Sequence, residues 1–156
     1  MRRRVKNRNI AQPDMEYNSA KLGKFINYVM DSGKKETARK VVYDALDIIK
    51  EKTANPNPLE IFDLAIKNAG PLTEVRSRRI GGANYQVPRE VRPERRTYLA
   101  MRWIIDAAQA KKGSPMRIKL ADELILAGKN EGSAIKKKDD THKMAESNKA
   151  FAHFAW

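Results

Sequence analysis

Apolar residues along most of this chain return every three to four positions. From Ser19 onward, Leu22, Phe25, Ile26, Val29 and Met30 fall at i, i+3, i+4, i+7 and i+8, the stripe of an amphipathic helix that Gly33 stops. A second stripe follows in Ala38, Val41, Val42, Ala45, Leu46 and Ile49. Asn55-Pro56-Asn57-Pro58 reads as a turn, with Asn57 as N-cap, Pro58 at the first helical position and Glu60 at the third, the spacing of a capping box. The third helix it opens has a broad apolar face (Leu59, Ile61, Phe62, Leu64, Ala65, Ile66, Ala69) and ends at Gly70-Pro71. Pro93 starts a fourth, in which Leu99, Met101, Trp103, Ile104, Ile105, Ala107 and Ala108 are apolar nearly all round, so this helix is predicted to be central. Gly113 ends it. Ser114-Pro115 repeats the N-cap and first-position logic for a fifth helix, with Leu120, Ala121, Leu124 and Ile125 inward. A sixth helical segment after Gly132-Ser133 is poorer in apolar residues and carries Lys136, Lys137 and Lys138. The chain closes on FAHFAW, a ring-rich tail able to pack back on the bundle.

The helical period fails in one place, EVRSRRIGGANYQVPREVRPERR (74–96). This stretch holds seven of the fourteen arginines of the chain and no lysine. Gly81-Gly82 is a turn signal, because a two-residue primed turn needs φ > 0. Val75, Ile80, Tyr85, Val87 and Val91 around it suit strands, which predicts a β-hairpin arm over 74–91. A loop of Gly81 and Gly82 alone sets Arg78 opposite Tyr85 and Arg76 opposite Val87, with Ser77 and Arg79 on the other face. A longer GGAN loop shifts that register. In either register neither face is apolar enough to be buried, so the arm is expected to leave the body and to be ordered by what it touches. The fold expected is mainly α: a six-helix bundle with a protruding two-stranded β-hairpin arm and a basic extended N-terminal arm (1–17). It is read as one domain over 1–156, with a basic C-terminal helix and aromatic tail over 133–156.

Charge adds a direction to this outline. Thirty-two Lys and Arg against nineteen Asp and Glu give a net +13, well above the ~2–8 that solubility asks of a small domain. The excess is uneven: residues 1–35 carry +6, 36–70 carry −1 and 71–96 carry +4. A near-neutral body with basic appendages is the layout of a polyanion interface, with nucleic acid the first candidate. Arginine without lysine suits phosphate, which its planar fork grips bidentately, and Tyr85 offers a ring for a base. Arg2, Arg3, Arg4, Lys6 and Arg8 suit an arm that folds on a polyanion. Lys34 and Lys35 serve either as helix-end caps or as phosphate ligands. Arg95, Arg96 and Arg102 continue the arginine field into the fourth helix, although Arg102 also stands four residues before Asp106.

Other chemistries find little support. The chain has no cysteine, which removes disulfides and thiolate metal sites and fits a reducing compartment. Its two histidines, His142 and His153, do not have metal spacing, and no GxxxxGK[ST] loop occurs. Asp122-Glu123 and Asp139-Asp140 are adjacent pairs that diverge on a helix, so they are expected to be solvated or paired with lysines. No segment is apolar enough to span a membrane. No catalytic residue, metal or cofactor is expected.

The runs GKKETARKVVYDA (33–45), RRIGGANYQVPREVRPERRTYLAMRW (78–103) and HKMAESNKAFAHFAW (142–156) resemble, in order and over almost the whole chain, the bacterial-type family of ribosomal protein seven of the small subunit. The resemblance implies a six-helix body with a protruding ribbon, and a cytoplasmic protein that resides in the small ribosomal subunit. It implies a primary binder of 16S-type rRNA at a junction of the 3′ domain, nucleating assembly of the subunit head. The family's ribbon lies near the E-site tRNA and the mRNA exit path, and its members touch small-subunit proteins nine and eleven. Carried over by position, the N-terminal arm, Lys35, Arg76, Arg78, Arg79, Arg92, Arg95, Arg96, Arg102, Lys136 and Lys137 would face rRNA. Gly81, Gly82, Ala83, Tyr85 and Lys143 would face tRNA or mRNA. Two positions depart from the pattern: Gly70 stands where relatives often carry a larger residue, and Ala155 where many carry arginine. The rival reading is an architectural DNA-binding protein that uses the arm as a minor-groove ribbon, with Val87-Pro88 as an apolar wedge.

Overall fold

The structure, a computed structural model, describes residues 12–154. Arg2, Arg3, Arg4, Lys6 and Arg8 therefore lie outside the described residues, as does Ala155. The helices that periodicity predicts form in order: α1 (Ala20–Val29), α2 (Lys35–Thr53), α3 (Pro58–Ala69), α4 (Pro93–Ala110), α5 (Met116–Gly128) and α6 (Ser133–Ser147). Between α3 and α4 runs an antiparallel ribbon of β1 (Thr73–Ile80) and β2 (Ala83–Glu90), and a 3-10 turn, Lys149–Phe154, follows α6. The chain divides into two compact units, Met1–Lys40 and Val41–Trp156, with the boundary inside α2.

In the first unit Ser19 caps α1, its Oγ accepting from the Leu22 N–H at 3.3 Å. The helix ends at Met30, ahead of the expected Gly33, because Asp31 and Ser32 turn the chain: the Lys34 N–H bonds the Asp31 carbonyl at 3.0 Å and Ser32 adopts φ +48°. The expectation of an extended arm as far as residue 17 is corrected over the described part. Asp14 is buried, and its Oδ2 accepts from the N–H groups of Glu16 at 3.2 Å and Tyr17 at 3.1 Å, so the chain turns there.

In the second unit α4 packs on α3, α5 and α6 with Ala100, Met101, Ile104, Ile105 and Ala108 fully buried, and it shares the centre with α3 and α5, which each pack on three helices as well. Asn57 caps α3 through its Oδ1 and the Leu59 N–H at 3.3 Å. The reciprocal half of the box is altered, since Glu60 Oε1 accepts from the Asn57 side-chain amide at 3.2 Å. The start of α5 falls one residue late, with Pro115 at the N-cap and no side-chain cap from Ser114, because the Pro115 ψ of 151° is extended although its φ suits a helix. Gly132 leads α6 without a side chain to cap it, and Glu123 of α5 substitutes. Its Oε1 accepts from the Ala134 N–H at 3.0 Å, and its Oε2 lies 2.6 Å from Lys111 Nζ. Glu123 is thus paired with a lysine as expected, but fully buried and not solvated. Asp122 beside it makes an exposed pair with Lys52 at 2.6 Å.

Gly81 and Gly82, at φ +57° and +91°, form the ribbon's tip as a two-residue loop. The register pairs Arg78 with Tyr85 and Arg76 with Val87, as the short loop predicts. The expectation that neither face would be buried is corrected. Val87 is 2% exposed, the Tyr85 ring lies 5.2 Å from that of Phe151 and 5.7 Å from that of Phe154, and α6 packs on both strands. The arm's cover comes from the C-terminal segment, which folds back over it. Among the described residues no helix is long and apolar enough to cross a membrane.

Candidate nucleic-acid interface

Strand alternation places side chains of paired residues on the same face, so Arg76 and Arg78 share one face with Tyr85 and Val87, and Arg79 lies on the other. Both Arg76 and Arg79 are exposed and make no ion pair or hydrogen bond with described residues. Arg78 is half-buried and turned inward, donating from Nη1 to the Phe154 carbonyl at 3.2 Å. The free guanidinium groups of the ribbon thus sit on both of its faces.

At the ribbon's base the arginines serve the fold. Glu74, its side chain only 12% exposed, accepts from Nε of Arg89 at 2.9 Å, with Arg89 Nη2 closer still, and from Nε of Arg95 at 3.3 Å. Burial opposes its ionisation, but hydrogen bonds and charge from Arg89 and then Arg95 outweigh that and hold the carboxyl below its ordinary value of 4.5. The pair thereby fastens β1 to β2 and to the first turn of α4. Arg96 reaches back to the C-terminus of α3, donating to the Gly70 carbonyl at 3.1 Å and to that of Lys67 at 3.4 Å. This close approach accounts for the glycine: a Cβ at Gly70 would lie 2.8 Å from Arg96 Cγ. Arg102 pairs with Asp106 at 3.1 Å, the i, i+4 contact foreseen for it, and still keeps half its side chain exposed.

Arg92 is the third free guanidinium. It stands exposed at the N-cap of α4 with no partner among described residues. On α6, Lys136 and Lys143 are exposed and unpaired among described residues, whereas Lys137 lies 3.9 Å from Asp106 and 6.0 Å from the ring of Trp103, itself core. Lys35, in the first unit, is exposed at the start of α2 without a side-chain partner among described residues. Gly81, Gly82 and Ala83 are exposed at the tip, where nothing lies within 4 Å of a Cβ built on either glycine. Tyr85 is half-buried under Phe151 and Phe154. Sequence reasoning gave Glu74 no role, and weighed His142 only as a metal ligand. The latter accepts the Leu72 N–H on its Nε2 at 2.9 Å, tying α6 to the chain entering β1. Glu74's position among seven arginines was the available signal, and for His142 there was none. With Val87 buried, the Val87-Pro88 step loses the residue that would lead an apolar wedge of the kind an architectural DNA binder uses. No group of His, Asp or Glu among described residues is placed to hold a metal.

Comparison with known proteins follows the same lines. The model of the family described as Ribosomal protein S7p/S5e matches residues 1–149. Small ribosomal subunit protein uS7 of Thermotoga petrophila is 56% identical over 156 residues, 100% of both chains. The protein of that name from Salinibacter ruber is 57% identical over 143 residues, 92% of this chain and 91% of its own. That of Francisella tularensis subsp. holarctica is 54% identical over 155 residues, 99% of this chain and 98% of its own.

Proposed function

Because the chain belongs to the ribosomal protein S7p/S5e family, and so is a structural, rRNA-binding part of the small ribosomal subunit and not an enzyme, we propose that it is a primary binder of 16S-type rRNA that nucleates assembly of the subunit head. Its site is a multi-helix junction of the 3′ domain. The ribbon tip, Gly81, Gly82 and Ala83, lies toward the E-site tRNA and the mRNA exit path, and small-subunit proteins nine and eleven are its protein neighbours. The observation that carries this reading is the set of free guanidinium groups, Arg76, Arg79 and Arg92. Arg92 stands at the positive end of α4, where a cation does nothing for the helix, so its charge serves something outside the chain. Arg76 and Arg79 offer charge on opposite faces of a ribbon about as thick as one strand pair, which suits insertion between converging RNA strands. There they replace the counterions that repelling phosphates would otherwise hold.

Affinity on this account is mostly phosphate-driven, with about 6–10 phosphate contacts costing roughly 10³–10⁵ in binding between about 50 and 200 mM salt. The test titrates the chain and its Arg76→Ala/Arg79→Ala variant against a folded junction RNA over that range, with random duplex DNA as competitor. The expected result is weaker binding by the variant, a salt slope flatter by about two, and unchanged helical content. Preference for the duplex at matched salt would overturn the RNA reading. An unchanged slope would remove these two arginines from the interface.

A further inference from the structure

A two-stranded ribbon is marginal by itself in water, because it buries too little to offset the entropy of ordering both strands. Here the ribbon is held along one side by the chain's own C-terminus. His142 of α6 takes the Leu72 N–H at the ribbon's entry. Farther along, Phe151 and Phe154 close over Tyr85, and the carbonyl of Phe154 draws in the guanidinium of Arg78. We propose that residues 142–154 form an intramolecular brace that orders the ribbon before any RNA arrives, with Phe151 and Phe154 as positioning residues for Arg76 and Arg79. The idea deepens the RNA-binding reading and rests on it. One arginine of the strand is given up to the brace, and the two that stay free are then held at a fixed spacing and on fixed faces.

The opposite role, a tail that hides Arg78 and Tyr85 until RNA displaces it, fits the packing less well. Displacement would uncover Tyr85 from both of its ring partners at once, and would loosen the strand on which Val87 is buried. RNA contact would then have to compensate for the ribbon's own loss of order. A brace avoids that cost, because apparent affinity scales with the fraction of molecules already in the competent shape.

The experiment uses the full chain and its Phe151→Ala/Phe154→Ala variant, with Phe151→Tyr/Phe154→Tyr as the ring-retaining control. Amide hydrogen exchange over 76–87 is measured without RNA, and junction-RNA affinity is measured across salt. In the alanine variant the brace predicts faster exchange in the ribbon and unchanged protection in α3–α5. It further predicts about tenfold weaker binding if the ordered fraction falls to about a tenth, with the salt slope retained because no phosphate contact is removed. The tyrosine variant should restore both readouts. Unaltered ribbon exchange would overturn the brace, and so would tighter RNA binding on loss of the rings. Should the parent chain fail to bind the RNA at all, the RNA reading falls, while the exchange result still decides whether the ribbon is braced.

Discussion

Guanidinium groups that are equivalent in the sequence differ in what carboxylates and carbonyls lie within reach. Arg89 and Arg95 converge on Glu74, Arg96 closes the end of α3, and Arg78 is fastened to Phe154, which leaves Arg76, Arg79 and Arg92 without a partner among described residues. Glu74 carries a pH signature. Its carboxyl is held below 4.5 in the folded chain, so its contribution is fully present above that value and is lost as pH falls through the lower, folded one. Glu74→Gln should therefore lower the thermal midpoint at neutral pH, and the gap from the parent should close as acidification proceeds below 4.5. Melting curves from pH 7 to pH 3 check this, and a gap constant with pH would contradict it. The density of arginine was legible in the sequence, as was the Arg102–Asp106 pair at helical spacing. The division between tied and free groups was not, because it depends on Gly70 and Phe154, residues 26 and 76 positions from the arginines they bind.

Helices and turns carried their own local marks. The periodic stripes, Asn57-Pro58 and Gly81-Gly82 place α1 to α6 and the ribbon's tip to within a few residues. What escaped was the cover on the ribbon, since the sparse apolar residues on either strand predict an exposed arm, and the rings that cover Tyr85 arrive from a segment about 65 residues farther on. The tip beyond that cover has little to do for the fold, with open space around both glycines. Deleting residues 81–83 with a repaired turn should spare incorporation into small subunits and alter tRNA or mRNA behaviour at the exit side. Subunit profiles together with toeprinting on the purified particles measure both. A failure to incorporate would make the tip an assembly contact.

Over the whole molecule, a net charge of +13 opposes compaction unless a polyanion answers it, and the charge is concentrated away from the near-neutral stretch of 36–70. Within the second unit a packed core of α3, α4, α5 and α6 carries the ribbon, and with it part of that field. Family membership fixes the chain as a structural part of the small ribosomal subunit. The claim added to it is that this protein comes early, and recognises rRNA without the help of other proteins. Order-of-addition reconstitution tests it most directly, with the chain offered alone to protein-free 16S-type rRNA and the complex challenged by a high-salt wash. The account predicts a saturable one-to-one complex at the 3′ domain that survives the wash, and later head proteins that fail to join when this chain is withheld. Binding only after another head protein has been added would contradict it.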